Sequence, residues 1–455
     1  MSAPVNQPGR VAYCALLGTT TLGTLSSNII SAPINTIARD LGATSSEIVF
    51  AVSAFTIAMV LFAPAAGWMC ERYGPKRFLL ASLALMVLAQ VGASVSPNLW
   101  ILVVMRACQG FACSAIPPAV QQTLGAFWTR QRGRVMAAWA SAIGVGQAVG
   151  PPLGGLIADT FGWRGIFLAH AALSAVMILL LGRFVPTVAA SRPPMHASGM
   201  ASLIVGVGSL VWAFTLAGQG VPHLLQIGLI VVGLALLLLY GQLSRSNPRA
   251  LVDPKLLIEV RYLRSTAAAA SVMSALGVVV VTVPLFLGQE VGLRPGVIGA
   301  ITFALAASMA LFAPISSRIA ERFTPRRVLH CGLITLVAGP LLLALASSDT
   351  WSGSRIVGIA ATLVVIGCGI GAVQSSAALG LMRSPAAALG SALGIHNMMR
   401  FTGLAVGYAW VAVTYPIGNL YLVYAGPPIM AAATFFLTFV GPPAPPVEDL
   451  PAATV

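Results

Sequence analysis

Apolar runs of about 20 residues recur along the whole of this chain, each long enough to cross the hydrocarbon of a bilayer as a helix. They fall near 11–33, 48–69, 78–96, 99–127, 135–158, 163–185, 198–219, 223–243, 264–288, 295–316, 327–347, 354–381, 387–413 and 419–440. The fold class this predicts is all-α integral membrane, with about fourteen transmembrane helices. Only 8% of the 455 residues are charged and 58% are hydrophobic, against roughly 25% charged in soluble domains. The net charge of +14 does not mark a nucleic-acid face, because the basic residues sit in short loops between apolar runs.

Those loops set an orientation. With the N-terminus inside, Arg72, Lys76, Arg77, Arg130, Arg132, Arg134, Arg192, Arg245, Arg249, Arg318, Arg322, Arg326 and Arg327 lie on one side, and only Arg39, Arg164, Arg294 and Arg355 on the other. Such a bias predicts both termini in the cytoplasm. No signal peptide or lipidation motif is read near the N-terminus. Cys14, Cys70, Cys108, Cys113, Cys331 and Cys368 lie in or beside apolar runs without CxxC spacing. They are read as small buried hydrophobes, with neither disulfide nor metal site expected. Trp100, Trp128, Trp163 and Trp351 sit near expected interfaces and are read as belt anchors.

The chain repeats itself. LFAPAAGWMCERYGPKR at 61–77 matches LFAPISSRIAERFTPRR at 311–327, at a constant offset of 250. The two copies are eight expected spans apart, which keeps both on one side, as a parallel repeat requires. The layout is six spans (1–186), an inserted helix pair with flanking cytoplasmic loops (187–262), six more spans (263–441) and a disordered cytoplasmic tail (442–455). The two bundles would enclose a midplane site and rock about it.

Three stretches carry chemistry. GWMCERYGPKR at 67–77 places Glu71 at a helix end beside Arg72, Lys76 and Arg77. A carboxylate there can hold a cation, or the N-terminus of a facing helix, in one conformer and release it in another. Arg106 lies inside an apolar run, in RACQG with Gln109 and Gly110, and needs a polar interior. GQAVGPPLGG at 146–155 sets Gly146, Gly150, Gly154 and Gly155 for close helix approach, with Pro151 and Pro152 to kink. FGWRGIF follows at 161–167.

The first stretch resembles the cytoplasmic loop signature of the major facilitator superfamily, G-x-x-x-D-R-x-G-R-R, with Glu71 in place of the usual Asp. The second resembles that family's R-x-x-Q-G element, and the third its antiporter motif, G-x-x-x-G-P-x-x-G-G. The fourteen-span layout and NMMRFTG at 397–403 resemble the drug/proton antiporter branch with two extra helices. The resemblance implies a secondary transporter in the cytoplasmic (inner) cell membrane, exporting small organic molecules by alternating access and proton antiport, without cofactor or metal, as a monomer. It implies a latch at Gly67, Glu71, Arg72, Gly74, Lys76 and Arg77, repeated at Glu321, Arg322, Arg326 and Arg327. The 146–155 glycines and Pro151 would be the hinge. The sequence departs from that branch in span 1, where an acid usually stands nine residues before a proline. Here Pro33 puts Thr24 in that place, and no Asp or Glu lies deep in a span.

What remains for the cavity and the coupling is Asn28, Arg106, Gln109, Gly110, His170, Gln374, His396, Asn397 and Arg400. His170 and His396 have side chains that titrate near neutrality, although a lone histidine among apolar neighbours is more often a packing residue. A second reading takes Arg106 and Arg400 as counter-charges in an organic-anion exporter or facilitator not coupled to protons. No Walker A sequence, metal-spaced His/Asp set or nucleophile elbow is present, which argues against an ATP-driven pump or an embedded enzyme.

Overall fold

A computed structural model describes residues 8–30, 33–43, 47–191, 196–216, 221–245, 247, 250–293, 295–348 and 354–440. The tail 442–455, Trp351, Arg192, Arg249 and Arg294 lie outside the described residues. Among these residues the regular structure is helical, with no strand. A backbone in hydrocarbon must satisfy its own polar groups, and a helix does so within one segment.

The helices are α1 (Arg10–Asn28), α2 (Ile34–Asp40), α3 (Val49–Tyr73), α4 (Pro75–Ser94), α5 (Leu99–Ser114), α6 (Ile116–Phe127) and α7 (Arg132–Phe184). A hairpin of α8 (Ala197–Thr215) and α9 (His223–Ser244) follows, then short α10 (Pro254–Leu257). The last set is α11 (Val260–Gln289), α12 (Pro295–Arg322), α13 (Pro325–Ser348), α14 (Ser354–Met382), α15 (Gly390–Thr414) and α16 (Leu420–Leu437). By length and composition, eleven of the described helical segments can cross a membrane. One of them, Thr129–Phe184, holds two of the expected spans. The more polar α1 and α15, also expected as spans, are not among the eleven.

Two departures from the expected spans, and the turn that falls between two of those spans, have local causes. The run 99–127 is two helices broken at Ala115, because Pro117 and Pro118 have no N–H to donate back to the preceding turn. The run 11–33 is helical only to Asn28, and Pro33 leads into α2, which the hydropathy pattern does not reveal. α7 is turned at Gly162, whose φ of 74° and ψ of 164° suit a residue without Cβ.

α1 and α4 pack on α7, and α3 packs on α5. In the second set α11 packs on α15, α12 and α13 on α14, and α13 on α16. The two sets meet along α3–α15 and α7–α12, and α8 leans on both α3 and α15. The outer surface is apolar: Leu88, Leu179 and Leu238 are exposed by 70%, 72% and 70%. Cys14 and Cys331 share that surface, so the expectation that all six cysteines are buried fails for these two. Trp128 and Trp163 are buried, so of the described tryptophans read as belt anchors only Trp100 is exposed.

The repeat has diverged at its turn. Gly74 joins α3 to α4 with φ 85°, and its counterpart Thr324 joins α12 to α13 with φ 151°. A β-branched residue in the positive-φ region stores about 1–3 kcal/mol. Thr324 Oγ1 accepts from Arg327 N at 3.4 Å, a cap whose replacement by glycine costs only a few tenths of a kcal/mol. Thr324→Gly is therefore expected to raise the melting temperature in detergent, by on the order of 1 °C after the entropy cost of glycine. An unchanged or lower midpoint in a thermal unfolding scan would show that Thr324 is not strained.

Candidate functional site

Where α3 meets α15, the interface between the two sets is built on glycine. A Cβ on Gly67 of α3 would lie 2.1 Å from the carbonyl oxygen of Gly390 at the start of α15. A Cβ on Gly394 would lie 2.4 Å from the Ala63 oxygen. The two backbones therefore touch. Their contact brings the buried Glu71 carboxylate onto the N-terminus of α15, where Ser391 N–H and Ser391 Oγ both donate to Oε1, the hydroxyl at 2.6 Å. Unsatisfied N–H groups and the helix dipole make this end of α15 positive. Of the two partners the latch reading allowed, cation or helix end, Glu71 takes the helix end.

The rest of that loop has other work. Lys76 Nζ donates to the Gly182 carbonyl at 2.8 Å, and Ser191 N–H donates to the Glu71 carbonyl at 3.0 Å. A Cβ on Gly74 would come within 3.1 Å of the Val188 oxygen. The segment after α7 is thus strapped over the α3–α4 turn. Arg72 and Arg77 are exposed and line a surface cleft with Tyr73 and Phe78. The second copy does not repeat the latch: Glu321, Arg322 and Arg327 are exposed, and Arg326 donates to the Thr438 carbonyl at 2.8 Å.

Along α15 the contacts continue inward. Asn397 Nδ2 donates to Gln121 Oε1 on α6 at 3.2 Å. One turn further, the Arg400 guanidinium lies 5.3 Å from the Trp139 ring on α7 and 4.5 Å from Phe401. Beside this row, Arg132 Nη1 donates to the Met382 carbonyl at 3.2 Å, and Ser141 Oγ to the Ala310 carbonyl at 2.7 Å.

Arg106 is fully buried and tied down. Its Nη1 donates to the Ser26 carbonyl at 3.0 Å and to Gln109 Oε1 at 2.9 Å, and its Nε donates to the Ala51 carbonyl at 3.2 Å. Gln109 donates to the Ala89 carbonyl at 3.2 Å, and a Cβ on Gly110 would meet the Phe55 oxygen at 2.1 Å. The RACQG element therefore fastens α5 to α1, α3 and α4. Arg400 differs. Among the described residues nothing accepts from its Nε or Nη1, although it is only 2% exposed. Two ring contacts give about 2 kcal/mol when desolvated, against several kcal/mol for burying one ion.

The 146–155 stretch stacks α7 on α1. Cβ atoms on Gly146 and Gly154 would lie 2.0 Å from Thr24 Oγ1 and 1.9 Å from the Ile29 oxygen, and one on Gly150 would lie 3.5 Å from Asn28 Cβ. Pro151 and Gly155 are half-buried beside them. Thr24 donates to the carbonyls of Thr20 and Thr21, so it is a packing residue of α1. His170 sits inside the first set, Nδ1 facing Gln90 Nε2 at 2.9 Å and Nε2 facing the Leu22 carbonyl at 3.1 Å. That pattern fits one neutral tautomer. His396 sits inside the second set, 2.9 Å from Thr266 Oγ1. Gln374 is buried with its Oε1 unpartnered among the described residues. At the far end, Asp40 accepts from Trp163 Nε1 at 2.8 Å and pairs with Arg164, and these contacts hold its pKa below the ordinary carboxylate value.

Sequence reading missed Ser391, Gly390, Gln121 and Trp139. The pair Gly390/Gly394 at i,i+4 was a usable signal for backbone contact, and Gln121 is a polar residue in an apolar run. Gly67→Leu is expected to hold α3 and α15 apart. Disulfide cross-linking between Glu71→Cys and Ser391→Cys should proceed in the Gly67 background and fall at least tenfold with Gly67→Leu. Equal cross-linking would show that the backbones need not touch. Arg106→Ala is expected to lower stability by about 2–3 kcal/mol through the orphaned carbonyls and the emptied site, read as a lower melting temperature in detergent. No loss would remove the fastening role.

The family model described as Major Facilitator Superfamily matches residues 15–241 and 266–454. The multidrug resistance protein Stp of Mycobacterium tuberculosis is 25% identical over 395 residues, 85% of this chain and 72% of that protein. The multidrug export protein EmrB of Haemophilus influenzae is 30% identical over 199 residues, 43% of this chain and 39% of that protein. In structure, the human organic anion transporter MFSD10 (TETRAN) matches with a TM-score of 0.67 at 15% identity, covering 94% of this chain and 99% of that one. The proton:xylose symporter XylE matches with a TM-score of 0.67 at 13% identity, covering 94% of each.

Proposed function

Because the chain belongs to the major facilitator superfamily, and is therefore a multi-pass membrane transporter and not an enzyme, we propose that it exports small organic molecules by alternating access. The relatives named as multidrug resistance and export proteins support the direction and the substrate breadth. The observation that carries the mechanism is the Glu71 carboxylate on the N-terminus of α15. It joins the two bundles at one end, in a geometry that a rocking motion would have to break. The bundles are residues 1–186 and 263–441, with an inserted pair at 187–262. We assign fourteen crossings, with both termini in the cytoplasm of the inner membrane and a monomeric state. Each expected span coincides with a helix, α5 and α6 sharing one and α7 covering two.

The coupling ion in this reading is the proton, exchanged at Glu71. Thr24 cannot titrate, and His170 and His396 are held by neutral partners within their own bundles. Glu71 is the buried acid among the described residues. Ionised, it accepts charge-assisted hydrogen bonds and holds the end shut. A change in its protonation state alters this contact, and through it the proton would act on the two bundles.

Substrate efflux from proteoliposomes should be driven by an imposed inward proton gradient in the wild type. In Glu71→Gln it should persist at a reduced rate and become indifferent to the gradient. Gradient-driven efflux that survives Glu71→Gln would place the proton elsewhere. Topology is read by labelling single cysteines in a background with all six native cysteines replaced by serine. Lys255→Cys should react only from the cytoplasmic side and Pro222→Cys only from outside. Labelling of Pro222→Cys from inside would take the α8–α9 pair out of the membrane.

A further inference from the structure

The interior of this transporter holds unpartnered polar atoms of both kinds, amide oxygens such as Asn397 Oδ1 and Gln374 Oε1 as well as donors, but no anion beside its two arginines among the described residues. Arg400 Nε and Nη1, Arg106 Nη2 and Gln121 Nε2 are buried and unpartnered among the described residues. Arg400 itself is 2% exposed and Arg106 is fully buried. Both guanidinium groups act on the thiol of Cys113 on α5, so they share one region of the bundle interior. The buried acid among the described residues, Glu71, is already occupied by Ser391 at the start of α15. Arg400 belongs to the second bundle, yet one of its aromatic neighbours, Trp139, belongs to the first. It therefore stands between the moving halves, immediately inside the Asn397–Gln121 and Glu71–Ser391 contacts that join them. Ring contacts leave most of the desolvation penalty of a buried guanidinium unmet, and a charge so placed is stabilised by an anion that enters from solvent.

We infer that the transported molecule is an amphipathic organic anion, its carboxylate or sulfonate held by Arg400 in the field of Arg106 and its aromatic body laid against Trp139. This rests on the exporter reading above and adds the charge of the substrate to it. Arg106 has a fixed structural task, so it contributes potential, while Arg400 is free to donate hydrogen bonds. Because Trp139 and Arg400 come from opposite bundles, the substrate touches both halves, and its binding can bias their relative position.

The test uses three probes with one ring system: 1-naphthoate, the uncharged 1-naphthamide and the cationic 1-naphthylmethylamine. Each is titrated against purified full-length transporter in nanodiscs by calorimetry. Naphthoate should bind at least tenfold more tightly than naphthamide, and the amine should bind weakest. Arg400→Gln should abolish the preference for naphthoate over naphthamide, and Arg400→Lys should keep part of it. Trp139→Leu should weaken naphthoate and naphthamide alike. Because Arg400→Gln itself could disturb folding, its melting temperature is read alongside, and Arg400→Lys decides if that variant fails to fold. Equal affinity for naphthoate and naphthamide, no naphthoate binding, or a preference that survives Arg400→Gln would overturn the inference. So would chloride that saturates the site without being displaced by naphthoate, which would make the occupant inorganic. Flux of the same probes separates the two readings. Transport of the amine or the amide but not of naphthoate defeats the anion and leaves the exporter standing, whereas tight naphthoate binding with no flux of any probe defeats the exporter and leaves the anion site.

Discussion

Two helices can meet backbone to backbone only where neither presents a Cβ, and α3 and α15 meet in that way at Gly67, Gly390 and Gly394. Much of the interface follows from that approach. It puts the end of α3 within a carboxylate's reach of the first turn of α15, so Glu71 meets Ser391 directly. It also sets how deeply α15 is drawn toward the first bundle, and with it the heights at which Asn397 meets Gln121 and Arg400 meets Trp139. α7 and α12 approach almost as closely, where a Cβ on Gly144 would crowd Ala310 at 3.0 Å. Glycine costs a helix about 1 kcal/mol relative to alanine in water. In a membrane, where helices associate through close packing and hydrogen bonds, that cost is offset by contacts no larger residue permits.

The two buried arginines resemble each other in sequence and not in energetics. Arg106 spreads its charge over three hydrogen bonds, two of them to main-chain carbonyls, whose dipoles solvate it in the way water would. Its removal leaves holes in a wall. Arg400 has rings in place of carbonyls. Rings attract a cation weakly and can part from it, so the group can rearrange without breaking directional bonds. A residue of the first kind belongs to a bundle that moves as one body, and a residue of the second kind suits a place where two bodies separate.

Most of the architecture was legible in hydropathy, because the bilayer enforces helical spans of one length and the basic loops mark one face. The helix breaks were less so. Ala115 and Pro33 mark interruptions that arise from prolines without a donor, which do not alter a hydropathy sum. The repeat gave the position of Glu71 but suggested a symmetric pair of latches. It could not show that Glu321 would be left on the surface, since that depends on which helix faces it. Thr24 was legible as a departure, and in the structure its hydroxyl sits in the close contact between α1 and Gly146 of α7. Nor could the sequence show the neutral partners of its two buried histidines, Gln90 and Leu22 for His170 and Thr266 for His396.

The segment strapped over the α3–α4 turn has a consequence for the membrane around the protein. Lys76, Gly74 and the Glu71 carbonyl bind the stretch from Gly182 to Ser191 to the first bundle, and that stretch leads to α8. α8 also lies against α15. If α3 and α15 part in an alternating-access cycle, a groove would open on the side where lipid tails stand ready to fill it. A hairpin anchored to one wall and sliding along the other would act as a gasket, keeping acyl chains out of the seam at every stage of the stroke.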